Sequence, residues 1–224
     1  MRHDPLRPGK FIAFEGIDGA GKSTQLSLLS YKLINKNIPI HVTCEPTNRP
    51  IGTMIRQMLS GQMQSHPATL AALFVADRTD HLLNPTEGIL AKVHQGTTVL
   101  TDRYYFSSYA YQSAHLDMEW VIHINSLCAN TLRPDMNIFI DTPPEICFER
   151  LIKHRNHLDL YEKIDSLRQA RADYFISFDK MRHLENIQII DGQRNIDEIA
   201  DEIWGVIEKL YGGISTALND TVRP

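Results

Sequence analysis

The strongest chemical signal in the sequence is a short glycine-rich segment near its start. The pattern GxxxxGK[ST] is matched by Gly16, Ile17, Asp18, Gly19, Ala20, Gly21, Lys22 and Ser23. Glycines at these positions let backbone N–H groups converge on phosphate oxygens, and the N-terminus of a following helix adds about half a positive charge. The segment is therefore predicted to bind the phosphates of a nucleotide.

Three side chains at the end of this segment add chemistry to the backbone. The ammonium of Lys22 can follow a transferred group between β- and γ-phosphates, and the Ser23 hydroxyl is placed to ligate Mg²⁺. Thr24 is expected to assist. We therefore expect ATP as the phosphoryl donor and Mg²⁺ as the cofactor.

A regulatory GTPase would share the phosphate loop, so a second feature must separate the two classes. The guanine-reading Asn-Lys-x-Asp is absent, because residues 35–38 (Asn-Lys-Asn-Ile) lack the aspartate and fall too early in the chain. The sequence therefore argues against a GTPase switch.

Two charged residues, Asp102 and Arg103, follow a predicted strand. An acidic residue at a strand end near a phosphate loop is where a Mg²⁺-organising carboxylate belongs. Arg103 can fork onto the phosphate of a phosphoryl acceptor, which would hold together two polyanions that otherwise repel. A surface salt bridge is the alternative role for Arg103.

The elements that must position these residues follow from hydrophobic patterning. An apolar run, Phe11–Phe14, indicates a buried strand before the loop, and Leu26, Leu29 and Leu33 recur at helical spacing after it. Four more apolar segments alternate with helical patterns, namely Ile40–Cys44, Thr98–Thr101, Asn137–Ile140 and Ile187–Ile190. This alternation predicts a three-layer α/β fold with five parallel strands, whose ligands lie beyond the strands' carboxyl ends.

Length and composition exclude several classes of protein. The 224 residues, 42% hydrophobic and 22% charged, favour one soluble domain, predicted over residues 10–211 with tails at 1–9 and 212–224. The net charge of -4 argues against a general nucleic-acid binder. We find neither a signal peptide nor an apolar stretch of the roughly 20 residues that span a bilayer. Three cysteines without CxxC spacing fit a reducing compartment, so a cytoplasmic protein is expected.

Further motifs surround the phosphate loop and Arg103. They are Phe14-Glu15-Gly16, Glu45-Pro46-Thr47, Phe74-Val75-Ala76-Asp77-Arg78 and the block Asp102–Gln112. In order and spacing, over about Lys10 to Leu210, this set resembles the motifs of thymidylate kinases. Cys44 departs from the family pattern, since many relatives have arginine before the Glu-Pro. The resemblance implies a P-loop NTPase fold with a small helical lid, and a homodimer formed through core helices such as the stripe Leu70–Leu83.

The resemblance also implies roles for residues that would hold the acceptor, dTMP. Phe74 would stack on the thymine ring and Arg78 would hydrogen-bond its edge, four residues along one helix face. A core role is the alternative for Phe74, which belongs to an apolar stripe. Tyr111 would pack where a ribose 2′-hydroxyl goes and so favour deoxyribose, while Ser108 and Gln112 would lie near the base.

Asp18, Tyr104 and Tyr105 are the remaining residues of these motifs for which a role is expected. Asp18 matches a family position that contacts the acceptor and its metal, with a cap on the turn as the alternative. Tyr104 and Tyr105 are expected to be core residues, because aromatic runs at a strand-to-helix corner usually pack inside.

The catalytic positive charge is expected from a lid at about residues 150–160. Some thymidylate kinases carry that arginine in the phosphate loop, where this chain has Gly19. Arg150 and Arg155 are the candidates here, with Lys153 as an alternative, and such an arginine can be worth roughly 10³ to 10⁵ in rate. A solvated basic helix face would need no function at all.

These features together predict transfer of the γ-phosphoryl group of ATP to dTMP, giving dTDP and ADP in dTTP synthesis. One alternative keeps the fold and changes the acceptor to dUMP or a deoxynucleoside, because the thymine methyl is worth only about 1–3 kcal/mol. The other is a nucleotide-binding regulator without turnover. Intact Lys22, Asp102 and Arg103 argue against that regulator.

Overall fold

The computed structural model describes residues 9–152 and 160–212. Strands and helices alternate along the chain, as predicted. In chain order they are β1 (Phe11–Glu15), α1 (Lys22–Asn35), β2 (Ile40–Cys44), α2 (Pro50–Leu59), α3 (Pro67–Leu83), α4 (Ile89–His94), β3 (Thr98–Asp102), α5 (Tyr105–Gln112), α6 (Met118–Ile124), α7 (Ser126–Thr131), β4 (Met136–Asp141), α8 (Pro144–Ile152), α9 (Leu160–Met181), β5 (Ile187–Asp191) and α10 (Ile196–Leu210).

The five strands form one parallel sheet in the order β2-β3-β1-β4-β5. Every residue of the central strand β1 is buried, as its unbroken apolar run requires, whereas the edge strands β2 and β5 are partly exposed. The predicted α/β fold with five parallel strands is confirmed, and each strand end lies within one residue of its predicted position.

The strand order creates a crevice at the carboxyl end of β1. The chain builds β2 and β3 on one side of β1 and then β4 and β5 on the other side. Phe14 pairs with Asp102, and the backbone N–H of Arg103 donates to the Phe14 carbonyl at 2.9 Å. The phosphate loop and the Asp102–Arg103 pair therefore start from adjacent strand ends, at the point where α/β sheets bind ligands.

An aromatic cluster fixes α5 and α9 against the sheet. Phe106 on α5, Phe139 on β4, and Tyr174 and Phe178 on α9 pack with ring centroids 4.9 to 5.8 Å apart. Two of the pairs, Phe106–Phe178 and Phe139–Phe178, are edge-to-face, an arrangement that adds about 0.5–1.5 kcal/mol beyond area burial. The cluster sets the position of α9, which brings its side chains to the crevice.

Two tyrosines, Tyr104 and Tyr105, lie at the corner between β3 and α5. Tyr104 and Tyr105 are both fully buried, which confirms their expected place in the core. Among the helices of residues 9–152 and 160–212, none is long and apolar enough to cross a membrane. Most of the predicted lid, with Lys153 and Arg155, lies outside the described residues, as do positions 1–8 and 213–224.

Candidate active site

The phosphate loop has a backbone that two of its glycines make possible. Gly19 and Gly21 have φ angles of 85° and 100°, in the left-handed region that favours glycine. A Cβ on Gly19 would also lie 2.6 Å from the carbonyl oxygen of Cys147 on α8. A larger residue at Gly19, such as the arginine that some thymidylate kinases carry there, would require the loop or α8 to shift.

Lys22 lies buried beneath the loop. Its Nζ donates to the carbonyls of Gly16 at 3.0 Å and Ile17 at 3.1 Å, and the residue is only 6% exposed. Burial lowers the pKa of Lys22 to about 8, and repulsion by the Arg103 guanidinium acts in the same direction. Bound phosphates would favour the charged ammonium, so the site is suited to an anion.

Ser23 and Asp102 meet at the first turn of α1. The Ser23 hydroxyl donates to Asp102 Oδ2 at 2.8 Å. The other carboxylate oxygen, Oδ1, is buried and has no hydrogen-bond partner in the described part of the chain. Because Mg²⁺ takes oxygen ligands and usually one or two carboxylates beside substrate phosphates, this donor set fits that cation.

Arg103 is held beside the loop by several elements at once. Its φ of 78° places a non-glycine residue in the left-handed region, at a cost of about 1–3 kcal/mol. Nη1, which carries two protons, lies within hydrogen-bonding distance of three acceptors: the Gly16 carbonyl at 3.1 Å, Ser107 Oγ at 3.0 Å and the Tyr174 hydroxyl at 3.3 Å. With its side chain 17% exposed, Arg103 is more than a surface salt bridge.

Asp18 and Tyr111 complete the surroundings of Arg103. Nη2 of Arg103 pairs with the Asp18 carboxylate, and the guanidinium lies 5.0 Å from the centre of the Tyr111 ring. The Asp18 N–H donates to the Tyr111 hydroxyl at 3.0 Å. Burial would raise the pKa of Asp18, but the charges of Arg103 and Lys22 bring it below its ordinary value. Asp18 therefore stays ionised in the loop.

The residues expected near the thymine base are mostly buried. Arg78, only 1% exposed, donates from Nε to Glu45 Oε2 at 2.7 Å and from Nη1 to Ser108 Oγ at 3.0 Å. Its Nη2 donates to the Tyr104 carbonyl at 3.2 Å, and Nη1 also contacts Asn125. All of its nitrogens are thus engaged by protein, and a hydrogen bond from Arg78 to thymine stays a prediction.

Phe74 and Gln112, unlike Arg78, keep surface or polar atoms that the protein does not engage. Phe74 is partly exposed, so part of its surface is available to a ligand. Gln112 is 8% exposed, and its buried Oε1 has no hydrogen-bond partner within the described residues. Neither residue lines the cleft beside Arg103 in the described structure, so their contacts with a base also stay predictions.

Most of the predicted phosphate-handling residues converge on one cleft of about 770 Å³. It is lined by Asp18, Gly19, Lys22, Ser23, Asp102, Arg103 and Arg150. A second cleft of about 410 Å³ runs along the loop, from Gly19 through Thr24 to Gln25, and also contains Arg194. Arg150 borders both clefts and donates to the carbonyls of Gly19 at 3.1 Å and Ala20 at 3.4 Å. One basic side chain of α8 thus borders both clefts.

Sequence reasoning missed several residues of this site. Lys163 and Arg56 line the larger cleft, and the charge of Lys163 contributes to the lowered pKa of Asp18. Glu15, fully buried, binds the hydroxyls of Ser107 and Tyr174 that contact Arg103. Glu15 and Ser107 belong to the sequence motifs described above, but the sequence assigned no individual role to either residue. Tyr174 and Lys163 lie on a long helix, where periodicity gives no functional signal.

Comparisons with known proteins identify the family of this chain. The family model for thymidylate kinase matches residues 14–203. A "Probable thymidylate kinase" of Thermococcus kodakarensis is 34% identical over 212 residues, covering 90% of this chain and 98% of the relative. The "Thymidylate kinase" of Desulfotalea psychrophila is 36% identical over 196 residues, covering 84% and 93%. The chain therefore belongs to the thymidylate kinase family.

Proposed function

We propose that this chain transfers the γ-phosphoryl group of ATP to dTMP, giving dTDP and ADP in dTTP synthesis. The observation that carries the proposal is that Lys22 and Arg103 line the same cleft. One cation belongs to a phosphate loop, and the other comes from the end of the neighbouring strand β3. Membership of the thymidylate kinase family supports dTMP as the acceptor.

The positions of Lys22 and Arg103 give the two cations separate roles in the proposed reaction. The loop backbone and Lys22 hold the donor phosphates, and Arg103 holds the phosphate of dTMP so that both anions approach without repulsion. Arg150, which borders both clefts, is placed to stabilise the charge of the transferred group. Mg²⁺ at Ser23 and Asp102 would supply further neutralisation of the donor phosphates. Phosphoryl transfer needs little else from the protein than this positioning and charge.

We assign selectivity for the acceptor to Tyr111, which lies beside Arg103, and to Phe74. The Tyr111 hydroxyl accepts from the Asp18 N–H, and the Arg103 guanidinium lies 5.0 Å from the centre of the Tyr111 ring. This position beside Arg103 supports the proposal that the ring packs against the sugar of a bound acceptor. A ribose 2′-hydroxyl would meet this ring. Phe74, being partly exposed, keeps the stacking role proposed for thymine.

The experiment is a coupled ADP-release assay with ATP, Mg²⁺ and a panel of acceptors. We expect turnover with dTMP, weaker turnover with dUMP because it lacks one methyl group, and little with thymidine, which has no phosphate for Arg103. TMP, the ribose form, should also be poor, and a Tyr111→Phe variant, which keeps the ring, should retain that rejection. ADP release that is independent of dTMP would reject the proposal.

Three further properties are part of the proposal. Leu83 on α3 and Leu127 on α7, helices that pack together, are 42% and 56% exposed, which supports the expected homodimer. Light scattering that gives a monomer mass at micromolar concentration would reject it. Free thiols at Cys44, Cys128 and Cys147 are consistent with the proposed cytoplasmic location. The proposed partners are ATP and dTMP, with neither nucleic acid nor a membrane. Detection of the protein mainly outside the cytoplasm, by cell fractionation, would reject that location.

A further inference from the structure

Glu15 is a fully buried carboxylate for which the phosphate chemistry has no direct use. It ends β1, and it does not line the cleft that contains Arg103 in the described structure. Within residues 9–152 and 160–212 it forms no ion pair, and burial raises the pKa of Glu15 against the opposing effect of its hydrogen bonds and of Arg103. A carboxylate in such a place is costly unless its hydrogen bonds are needed.

One oxygen of Glu15 sets the direction of two hydroxyl groups. Oε2 accepts from Ser107 Oγ at 2.6 Å and from the Tyr174 hydroxyl at 2.8 Å. Each hydroxyl has a single proton, and an ionised carboxylate can only accept. The two hydroxyl oxygens also lie 2.8 Å from each other. With both protons directed at Glu15, each oxygen is left as an acceptor that faces Nη1 of Arg103, at 3.0 and 3.3 Å.

The other oxygen of Glu15 acts on the backbone next to Arg103. Oε1 accepts from the Tyr104 N–H at 2.8 Å, one residue after the left-handed φ of 78° at Arg103. Without this acceptor the Tyr104 N–H would be buried and unpaired, because Tyr104 is fully buried. A single carboxylate therefore holds both the main chain beside Arg103 and the hydroxyls around its guanidinium.

We propose that Glu15 is a positioning residue for the reaction, which fixes Arg103 in the orientation that binds the acceptor phosphate. This inference rests on the proposed function, because it gives Arg103 the acceptor role. Glu15 itself contacts neither nucleotide. It acts by leaving Ser107 and Tyr174 as acceptors and by fixing the strained backbone just after β3.

The test is Glu15→Gln, with Glu185→Gln as the matched control. A glutamine can accept at only one end and donates at the other, so it cannot serve all three donors. Glu185 is also buried, 8% exposed, and lies at the amino-terminal edge of the sheet. It accepts from the Tyr105 hydroxyl at 2.7 Å and from Asn137 at 3.2 Å, and it also pairs with Arg133. For Glu15→Gln we expect kcat/KM for dTMP to fall about 10²-fold, with a raised KM for dTMP and a KM for ATP within about twofold.

The control separates positioning from general damage. Glu185→Gln should leave the KM for dTMP unchanged, even where its melting temperature drops. Equal losses for dTMP and ATP in Glu15→Gln, or the same dTMP defect in Glu185→Gln, would overturn the inference. A wild-type enzyme without dTMP-dependent turnover would instead reject the proposed function, so the two failures are distinguishable.

A milder pair of variants keeps the test valid if Glu15→Gln does not fold. Tyr174→Phe removes one hydroxyl between Glu15 and Arg103, and Tyr105→Phe removes the equivalent hydroxyl from Glu185. We expect kcat/KM for dTMP to fall about fivefold to tenfold in Tyr174→Phe only. Identical kinetics in the two variants would contradict the role of Glu15.

Discussion

The donor and acceptor sides of the cleft are built in different ways. The proposed donor side is one continuous segment, residues 16–24, whose backbone and Lys22 would provide the binding groups. The proposed acceptor side centres on Arg103, which contacts Gly16, Ser107 and Tyr174. Ser107 is close in sequence, but Gly16 and Tyr174 lie 87 and 71 residues away. Donor recognition is thus local in sequence, whereas acceptor recognition depends on tertiary packing. Substitutions should therefore separate the two sides.

The largest effect is expected from a substitution that removes the cation of the donor side and leaves the acceptor side intact. Lys22→Met should lower kcat/KM for ATP about 10³-fold, because it removes a buried cation from the transferred group. The dissociation constant for dTMP, measured by calorimetry, should change by less than about threefold. Lys32→Met, on the exposed part of α1, is the control and should behave like the wild type. Equal weakening of ATP and dTMP by Lys22→Met would show that the sides are not separable.

Breaking the acceptor side should give the opposite pattern. Arg103→Met should lower kcat/KM for dTMP about 10²-fold, because the acceptor phosphate loses its charge-assisted hydrogen bonds. ATP binding measured without dTMP should be nearly unaffected. Arg168→Met removes an exposed arginine of α9 and serves as the control. Normal dTMP kinetics in Arg103→Met would refute the acceptor role of this arginine.

The smallest effect is a pH dependence that belongs to the donor side. Lys22, with its pKa of about 8, is charged below that pH and loses its charge as pH rises through it. If only the ammonium form binds, ATP affinity should fall about fivefold between pH 8 and pH 9. Calorimetry in EDTA removes the contribution of Mg²⁺. The Lys22→Met variant should give a flat profile, and dTMP binding should lack this step. A flat profile in the wild type would contradict the assignment.

The local features of this protein were accessible from its sequence. Each buried strand is an apolar run, and the glycines of the loop mark a backbone that few other residues adopt. The five strands and the phosphate loop's place between β1 and α1 were therefore predicted correctly. Asp102 and Arg103 were found for a similar reason, since a strand end next to a phosphate loop is a restricted location.

Features that depend on packing between distant residues could not be predicted in this way. No pattern reveals that the α8 backbone approaches Gly19, or that Tyr174 on α9 reaches Glu15 on β1. Arg78 illustrates the same limit, because its pairing with Glu45 brings together residues from α3 and the end of β2. The roles of Arg150 and Arg155 in catalysis stay predictions, and Arg155 lies outside the described residues.

The most direct test of the central claim follows the phosphoryl group itself. ATP labelled at the γ-phosphate is incubated with the enzyme, Mg²⁺ and dTMP, and the products are separated by chromatography. If Lys22 and Arg103 present donor and acceptor to each other across one cleft, the label should appear in dTDP in equal amount to the ADP released. Label that appears in inorganic phosphate, with or without dTMP, would contradict the account.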